Sequence, residues 1–348
     1  MVHISSIRLS ICIATLNRGD YIGETLSALL AQIEDDVELV IVDGGSKDNT
    51  SDIVGFFCSK HPQIKYFKEL NNSGVDRDYD KAVSYARGLY CWLMTDDDLP
   101  VPGAINRILS ALDGDTDLVI VNAEIKNADL SKVIVPLLIN QIEDRRYGAG
   151  EESALFTDAG NGLSFIGSVI IKREVWLSRD RSLYYGSLFI HVGVIFQNPP
   201  INKVFLIGKP LIQIRYGNAM WTTRGFEVWM FKWPQLLWSF TGFSVQAKTA
   251  VCKQKPWQSA KRLMFSRAAG SYSLLEFKKF LKGRSSLSIE IMQLLIAIVP
   301  GRLINALIAV YISMFHRAGL GGMYDLTRSV HTNWITQLAA RFIDEKTS

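Results

Sequence analysis

Tyr90-Cys91-Trp92-Leu93-Met94-Thr95-Asp96-Asp97-Asp98-Leu99-Pro100 is an apolar run that ends in three consecutive carboxylates. Tyr90 to Met94 has the length and composition of a buried strand, and open α/β sheets bind their ligands just beyond the carboxyl ends of such strands. Three adjacent aspartates repel one another unless a cation or hydrogen-bond donors neutralise them. The competing reading is a solvated acidic turn before the Pro100-Val101-Pro102-Gly103 breaker, with a helix starting near Ala104, because Asp is common at turns and caps. The flanking sequence decides between the two.

Working back from the triplet, Tyr79 to Ala86 reads as a helix, Asn71 to Asp78 as a loop and Ile64 to Lys68 as a strand. Val37 to Val42 is an earlier strand, followed by the turn Asp43-Gly44-Gly45-Ser46-Lys47-Asp48-Asn49-Thr50 and a helix to about Phe57. Leu9 to Ala14 is the first strand, followed by Thr15-Leu16-Asn17-Arg18-Gly19-Asp20 and a helix from about Tyr21 to Gln32. Strands alternating with helices predict an α/β domain whose mostly parallel central sheet carries helices on both faces. In such a sheet the loops at 15–18, 43–46, 76–78 and 96–98 share one edge. There is no GxGxxG and no GxxxxGK[ST], which argues against a dinucleotide fold and a P-loop enzyme.

With 48% apolar and 21% charged residues over 348 positions, the chain is globular and long enough for two lobes. The net charge of +4 conceals an asymmetry: residues 1–160 hold 26 acidic and 14 basic side chains, whereas the remainder holds 8 and 24. An acidic half can seat a cation, and a basic half can face phosphates or an anionic membrane. No finger, RNP-like or basic-zipper pattern appears, so nucleic acid is not the expected partner. Cys12, Cys58, Cys91 and Cys252 lack metal-binding spacing and read as reduced thiols. Met1 to Arg8 lacks the features of a signal peptide, so a cytoplasmic location is expected.

Taken together, Ser10-Ile-Cys-Ile-Ala-Thr15-Leu-Asn17-Arg18, Val40-Ile-Val-Asp43-Gly-Gly-Ser46-Lys-Asp48-Asn-Thr50 and Gly88-Leu-Tyr-Cys-Trp-Leu-Met-Thr-Asp96-Asp97-Asp98 resemble the successive motifs of family 2 glycosyltransferases with the GT-A fold. Asn71 to Asp76, Ala86 to Trp92 and Pro102 to Ile105 are similar to the abequosyltransferase-like branch, which acts on bacterial O-antigen. The resemblance covers residues 7–112 well and 160–215 loosely. It implies that Thr15, Asn17 and Arg18 border the nucleoside, that Asp43 contacts the base or ribose, and that Asp76 lies beside the nucleotide. Asp96 and Asp98 would form the DxD pair that holds a divalent metal, Mg2+ or Mn2+, with Asp97 also close to the nucleotide-diphosphate sugar; whether Asp97 or Asp98 is the closer ligand stays open. Such a cation stabilises the diphosphate charge as it leaves. Many relatives carry a second acidic residue after the first in the Asp43 motif, where this chain has Gly44.

From Asp113 the pattern becomes mixed, with a strand at Thr116 to Asn122, a hairpin or edge segment at Lys126 to Asn140, and a polar stretch from Gln141 to Asp158 that reads as a lid loop. Gly162 to Glu174 resembles the acceptor-side strand and helix start. An inverting transferase needs a base for the acceptor hydroxyl. No carboxylate lies between Gly186 and Phe196, which leaves His191, a residue that resembles a His of the abequosyltransferase-like branch. A lone His among apolar neighbours is also a common core residue. Asp158 and Glu152 are the alternative bases.

The last third differs in composition. Trp221, Trp229, Trp233 and Trp238 fall in a weakly charged stretch, and residues 248–284 carry ten Lys and Arg against Glu276 alone. Ser288 to Val299 and Leu303 to Phe315 are strongly apolar but shorter than the roughly 20 residues needed to span a bilayer. They read as helices on a membrane surface or as a packed helical subdomain. The expected organisation is a catalytic domain at 1–215, with a nucleotide-sugar half at 1–112 and an acceptor half at 113–215, followed by a helical region at 216–348. The expected activity is sugar transfer from a nucleotide-diphosphate sugar to a saccharide hydroxyl. The acceptor would be polyprenyl-diphosphate-linked, at the cytoplasmic face of the inner membrane. A noncatalytic nucleotide-sugar-binding scaffold and a nucleotidyltransferase are the competing expectations; the second would show a basic, Gly-rich loop after the first strand, where Thr15 to Arg18 has one basic residue.

Overall fold

A computed structural model describes residues 7–217, 224–315 and 320–347. The chain divides into two compact units, one of Met1–Tyr216 with Phe240–Val251 and the other of Gly217–Ser239 with Cys252–Ser348.

The first unit opens with β1 (Leu9–Thr15), α1 (Gly19–Leu30), β2 (Val37–Asp43), α2 (Thr50–Lys60), β3 (Ile64–Lys68), α3 (Val75–Tyr85) and β4 (Tyr90–Met94). It continues through β5 (Leu99–Pro100), α4 (Ala104–Leu109), β6 (Leu118–Lys126), β7 (Val133–Val135), β8 (Arg145–Tyr147), α5 (Glu152–Ala159), β9 (Val169–Lys172), α6 (Arg173–Ser178), α7 (Ile190–Phe196) and β10 (Val204–Arg215). Among the described residues the ten strands form one sheet, ordered β3-β2-β1-β4-β9-β6-β10-β5, with β7 on β6 and β8 on β10. β1 lies parallel to both β2 and β4, with Leu9 opposite Val37 and Tyr90. Leu9, Ile11 and Ile13 alternate onto one face and join Ile22, Leu26 and Leu29 of α1 in the main core, where Trp92 and Met94 are also wholly buried. Burial of each such side chain contributes about 1.5–3 kcal/mol.

β9 runs antiparallel to both β4 and β6, so β6 and its parallel neighbour β10 point the same way as β4. Thr15, Asp43, Met94, Lys126 and Arg215 therefore end their strands along one edge. The stretch from Gln141 to Asp158 is not the lid loop its polarity suggested. Arg145–Tyr147 pairs antiparallel with Leu206, Phe205 and Val204, and the Gly208 amide donates to Asp144 at 3.0 Å. A Cβ on Gly208 would stand 2.2 Å from the Ile142 carbonyl oxygen, so only glycine lets the two segments meet.

The second unit is helical. Gly225–Glu227 (α8) runs through a π-turn at Val228–Lys232 into α9 (Trp233–Ser239); α10 (Val245–Val251) returns to the first unit. Then follow α11 (Ala260–Ala268), α12 (Leu274–Glu276) with a π-turn at Phe277–Leu281, α13 (Leu287–Ile298), α14 (Gly301–Phe315), α15 (Leu320–Arg328) and α16 (Trp334–Thr347). Much of the aromatic stretch is core: Phe226, Met230, Trp257, Tyr272 and Phe277 form one cluster. Trp221 lies outside the described residues. Buried Asn305 donates to the Ala268 and Leu326 carbonyls, both at 3.0 Å, which ties α11, α14 and α15 together. No single described helix is long and apolar enough to cross a membrane, and α13 meets α14 at a 95° bend.

Candidate functional site

Two motif loops are stitched together at the carboxyl ends of β1 and β2. Asn17 takes the left-handed conformation (φ 52°) that Asn tolerates better than most side chains. Its amide donates to Ser46 Oγ and its Oδ1 accepts from the Lys47 amide, both at 2.8 Å. The Arg18 amide donates to Thr50 Oγ1 at 2.8 Å, and the Gly19 amide to Asp48 Oδ2 at 3.0 Å. Asp43 is wholly buried beneath this clasp. Its Oδ1 accepts from the Gly45 and Ser46 amides and its Oδ2 from Tyr66 at 2.6 Å and Ser51 at 3.3 Å. Sequence reading assigned Asn17 and Asp43 to the nucleotide; here their polar atoms shape the loops that would carry it. The Thr15 hydroxyl is buried at the end of β1 on the side of Asp96, whose carboxylate it helps to stabilise.

The triplet after β4 is divided. Asp98 Oδ2 accepts from Thr95 Oγ1 at 2.5 Å and Oδ1 from the Arg215 amide at 2.7 Å, while the Asp98 carbonyl accepts from Thr25 at 3.2 Å. Burial, then the neighbouring Asp97 charge, raises its pKa well above the usual carboxylate range. Asp96 and Asp97 share one guanidinium instead: Arg18 Nε lies 3.3 Å from Asp96 Oδ1, and Arg18 Nη2 pairs with Asp97. Burial and the Asp97 charge push Asp96 up to about 7, and Arg18 opposes them. Arg18 and Arg215 both stack over the Tyr21 ring, at 4.6 and 5.5 Å from its centroid. Arg215 Nε also donates to the Asp97 carbonyl at 3.1 Å.

Helix α3 supplies carboxylates that reach toward the segment before α7. Asp76 accepts three backbone N–H groups, from Gly186 and Leu188 on Oδ2 (2.8 and 2.9 Å) and from Ile190 on Oδ1 (3.1 Å). One turn on, Asp80 accepts from Trp176 Nε1 at 2.9 Å and from the Tyr185 hydroxyl, and forms an ion pair with Arg181, whose Nε lies 2.8 Å away. Asp76 is thus bound to the loop at 186–190. His191 follows directly and is buried. Its Nε2 lies 2.7 Å from the Leu163 carbonyl, which can only accept, so Nε2 carries the proton and Nδ1 is a buried lone pair with no partner among the described residues. Burial lowers its pKa to about 4.

Asp158 is held by Arg145 and Tyr147, at 2.8 and 2.9 Å. Those residues belong to β8, which pairs with the start of β10, whereas the triplet meets the end of β10 at Arg215. The assignment of Asp158 as alternative base is therefore corrected: it sits toward the opposite edge of the sheet. Arg215 and Tyr21 are site residues that sequence reading did not single out. The available signal was a cation closing the long apolar strand Val204–Arg215 at the edge where ligands bind.

Two aspartates held by an arginine at the carboxyl edge of a parallel sheet are suited to binding a metal-bridged diphosphate. Asp96 and Asp97 supply hard oxygen donors, and Mg2+ and Mn2+ are commonly held by one or two carboxylates shared with substrate phosphates, so the residues fit such an ion. Among the described residues no group of three or more His, Cys, Asp or Glu is arranged to hold a metal by itself.

Residues 10–165 match the family model "Glycosyl transferase family 2". The abequosyltransferase RfbV of Salmonella typhimurium is 25% identical over 72% of this chain and 81% of its own length. The glycosyltransferase GlyG of Streptococcus pneumoniae is 26% identical over 33% of this chain and 38% of its own. Among solved structures, S. aureus TarS 1–349 in complex with UDP superposes with a TM-score of 0.55 at 15% identity, covering 97% of this chain and 92% of TarS.

Proposed function

We propose that the chain is a family 2 glycosyltransferase that uses a nucleotide-diphosphate sugar donor, a reading supported by the family match over residues 10–165 and the similarity to an abequosyltransferase, and that Asp96, Asp97 and Arg18 form the seat of the donor diphosphate. The observation that carries this reading is the shared guanidinium. Two desolvated carboxylates at the end of β4 are neutralised by a cation, on the edge where the Thr15, Asn17, Asp43 and Asp76 segments also end. A divalent cation, Mg2+ or Mn2+, would be held by Asp96 and Asp97 and would stabilise negative charge on the departing diphosphate. Asp98 accepts from Thr95 and from the Arg215 amide, so this reading gives it a bracing role between β4 and β10 and assigns the cation to Asp96 and Asp97. Arg18 is long enough to exchange its carboxylate partners for phosphate oxygens, which planar guanidinium groups pair with bidentately.

His191 is the group to which this reading gives the acceptor's proton. It stands directly after the loop held by Asp76, its neutral Nδ1 has an unshared lone pair, and no carboxylate lies between Gly186 and Phe196. A saccharide linked to a polyprenyl diphosphate is the proposed acceptor, in bacterial O-antigen or surface polysaccharide assembly. The similarity to an abequosyltransferase supports this, and so do exposed apolar stripes in the second unit: Leu287, Ile291, Leu295 and Ile298 on α13, and Leu303, Leu307 and Met314 on α14. Such stripes, with Lys278, Lys279, Lys282 and Arg284 just before α13, suit a helix pair lying on an anionic membrane surface. The test is release of nucleoside diphosphate from a panel of nucleotide sugars with Mn2+ and a polyprenyl-diphosphate saccharide. Turnover that Asp97→Asn leaves at the wild-type rate would overturn the diphosphate seat.

A further inference from the structure

Arg77 is an exposed cation in the first turn of α3, and among the described residues no carboxylate forms an ion pair with it. Its guanidinium carbon stands over the Tyr185 ring, 4.2 Å from the centroid. That ring is fixed at its far end, where the Tyr185 hydroxyl donates to Asp80. Asp80 is 8% exposed and is itself held by Trp176 and Arg181. The neighbouring carboxylate, Asp76, is committed to the amides of Gly186, Leu188 and Ile190. A guanidinium seated over an aromatic ring keeps its in-plane N–H groups for other partners, and these pair bidentately with phosphate or carboxylate oxygens. The ring also restricts where the charge can sit, so less freedom is lost when an anion arrives.

Its place in the fold identifies the anion. α3 starts at the ligand-binding edge, and the Tyr79 hydroxyl donates to the Met94 carbonyl at 3.0 Å, which sets this end of the helix beside the end of β4. The same turn grips the segment that leads from Tyr185 to His191. Leu188 in that segment holds a φ of +73°, a conformation rare for a bulky side chain, and its amide is one of the three that Asp76 takes. Arg77 and Tyr185 therefore belong with the acceptor side, where His191 receives the proton. The donor diphosphate is served by Arg18 and by the cation at Asp96 and Asp97. The charge that the proposed acceptor carries is the diphosphate joining its saccharide to the lipid.

We infer that Arg77, braced by Tyr185, is a subsite for the acceptor's diphosphate and selects a phosphorylated lipid carrier over a neutral one. This rests on the sugar-transfer reading above and adds to it the group by which the acceptor is recognised.

Calorimetric titration of the full-length chain in metal-free buffer, with farnesyl diphosphate, farnesol and glucuronate as probes, tests the proposal. The wild type is expected to bind farnesyl diphosphate at least about tenfold more tightly than either of the others, the effect of a bidentate charge-assisted pair. Arg77→Gln keeps a donor but loses the charge, so the preference should fall to roughly threefold or less. Tyr185→Leu is the second variant: it leaves Arg77 in the chain without its support and should narrow the preference as well. In Arg77→Gln the affinity for nucleoside diphosphates with Mn2+ should stay within about twofold of the wild type, since the donor seat is built from other residues. An unchanged preference in folded Arg77→Gln, or a wild type that takes farnesol or glucuronate as tightly as farnesyl diphosphate, overturns the subsite. An equal loss of nucleoside-diphosphate affinity also overturns it, by placing Arg77 at the donor. A wild type that binds none of UDP, TDP, GDP, CDP and ADP with Mn2+, while Arg77-dependent farnesyl diphosphate binding persists, removes the nucleotide-sugar reading and the acceptor role of this site with it.

Discussion

The Asp98 carboxylate accepts the Arg215 backbone N–H at 2.7 Å, so the last residue of the acidic triplet joins the end of β4 to the end of β10. Its other oxygen is taken by Thr95. Asp98→Ala should therefore act on the fold: it leaves the buried Arg215 amide without its acceptor, a cost of about 1–3 kcal/mol. Asp96→Asn and Asp97→Asn should leave the melting temperature near the wild-type value and lower transfer by about 100-fold or more, as loss of a charge-stabilising group does. Thermal melts followed by circular dichroism, with initial transfer rates for all three variants, check this division. Equal melting temperatures for Asp98→Ala and Asp97→Asn would contradict it.

His191 links the site to acid stability. Its ring is neutral in the native state down to about pH 4, against an ordinary value of 6.5. Between these values the unfolded chain binds a proton that the native chain does not. The stabilisation is thus complete above pH 6.5 and is lost as pH falls toward 4, a change of about 3 kcal/mol. His191→Gln keeps an amide donor for the Leu163 carbonyl but has no titrating ring, so the urea midpoint should lose this part of its dependence between pH 6.5 and 4. If Nδ1 takes the acceptor proton, the same variant should transfer about 100-fold more slowly at pH 7.5. A flattened stability profile with unimpaired transfer would assign His191 to packing.

Strand periodicity made the first half of the sheet legible: Ile64–Lys68 and Tyr90–Met94 read from sequence with the bounds the structure gives them. β9 was harder to orient, because its antiparallel direction is set by pairing with β4 and β6 rather than by its own apolar residues. The motif loops were legible as positions but not as orientations. Asp43, Asp76 and Asp98 stand on the ligand-binding edge, yet each carboxylate turns to backbone amides, and which way a short acidic side chain turns depends on amides distant in sequence. Asp76 meets Gly186, Leu188 and Ile190 more than a hundred residues away, and nothing local to Val75-Asp76-Arg77 announces it.

That contact makes its own prediction. Asp76→Ala removes the acceptor of three N–H groups in the loop before His191. The acceptor side should loosen while the diphosphate seat stays formed. The saccharide KM should rise, or kcat fall, by about tenfold, with the nucleoside diphosphate Kd changed by roughly twofold at most. A Kd that weakens tenfold with unaltered acceptor kinetics would return Asp76 to the nucleotide.

The exposed stripes of the second unit give the remaining test. Leu295 and Leu307 are 58% and 61% exposed, and Leu338, between Trp334 and Phe342 on α16, is 60% exposed. Charged replacements at these positions disturb little of the helical core, in which Asn305 and its carbonyl partners are buried. If the stripes enter the headgroup boundary, each Leu→Glu change removes about 1 kcal/mol or more of apolar transfer and adds repulsion from anionic lipid. The triple variant Leu295→Glu, Leu307→Glu, Leu338→Glu should then sediment with phosphatidylglycerol vesicles at least about 100-fold less than the wild type, while its circular dichroism melt is preserved. Wild-type binding that falls in high salt but survives the triple change would assign the attachment to the basic residues before α13, because salt screens charge and leaves apolar insertion intact.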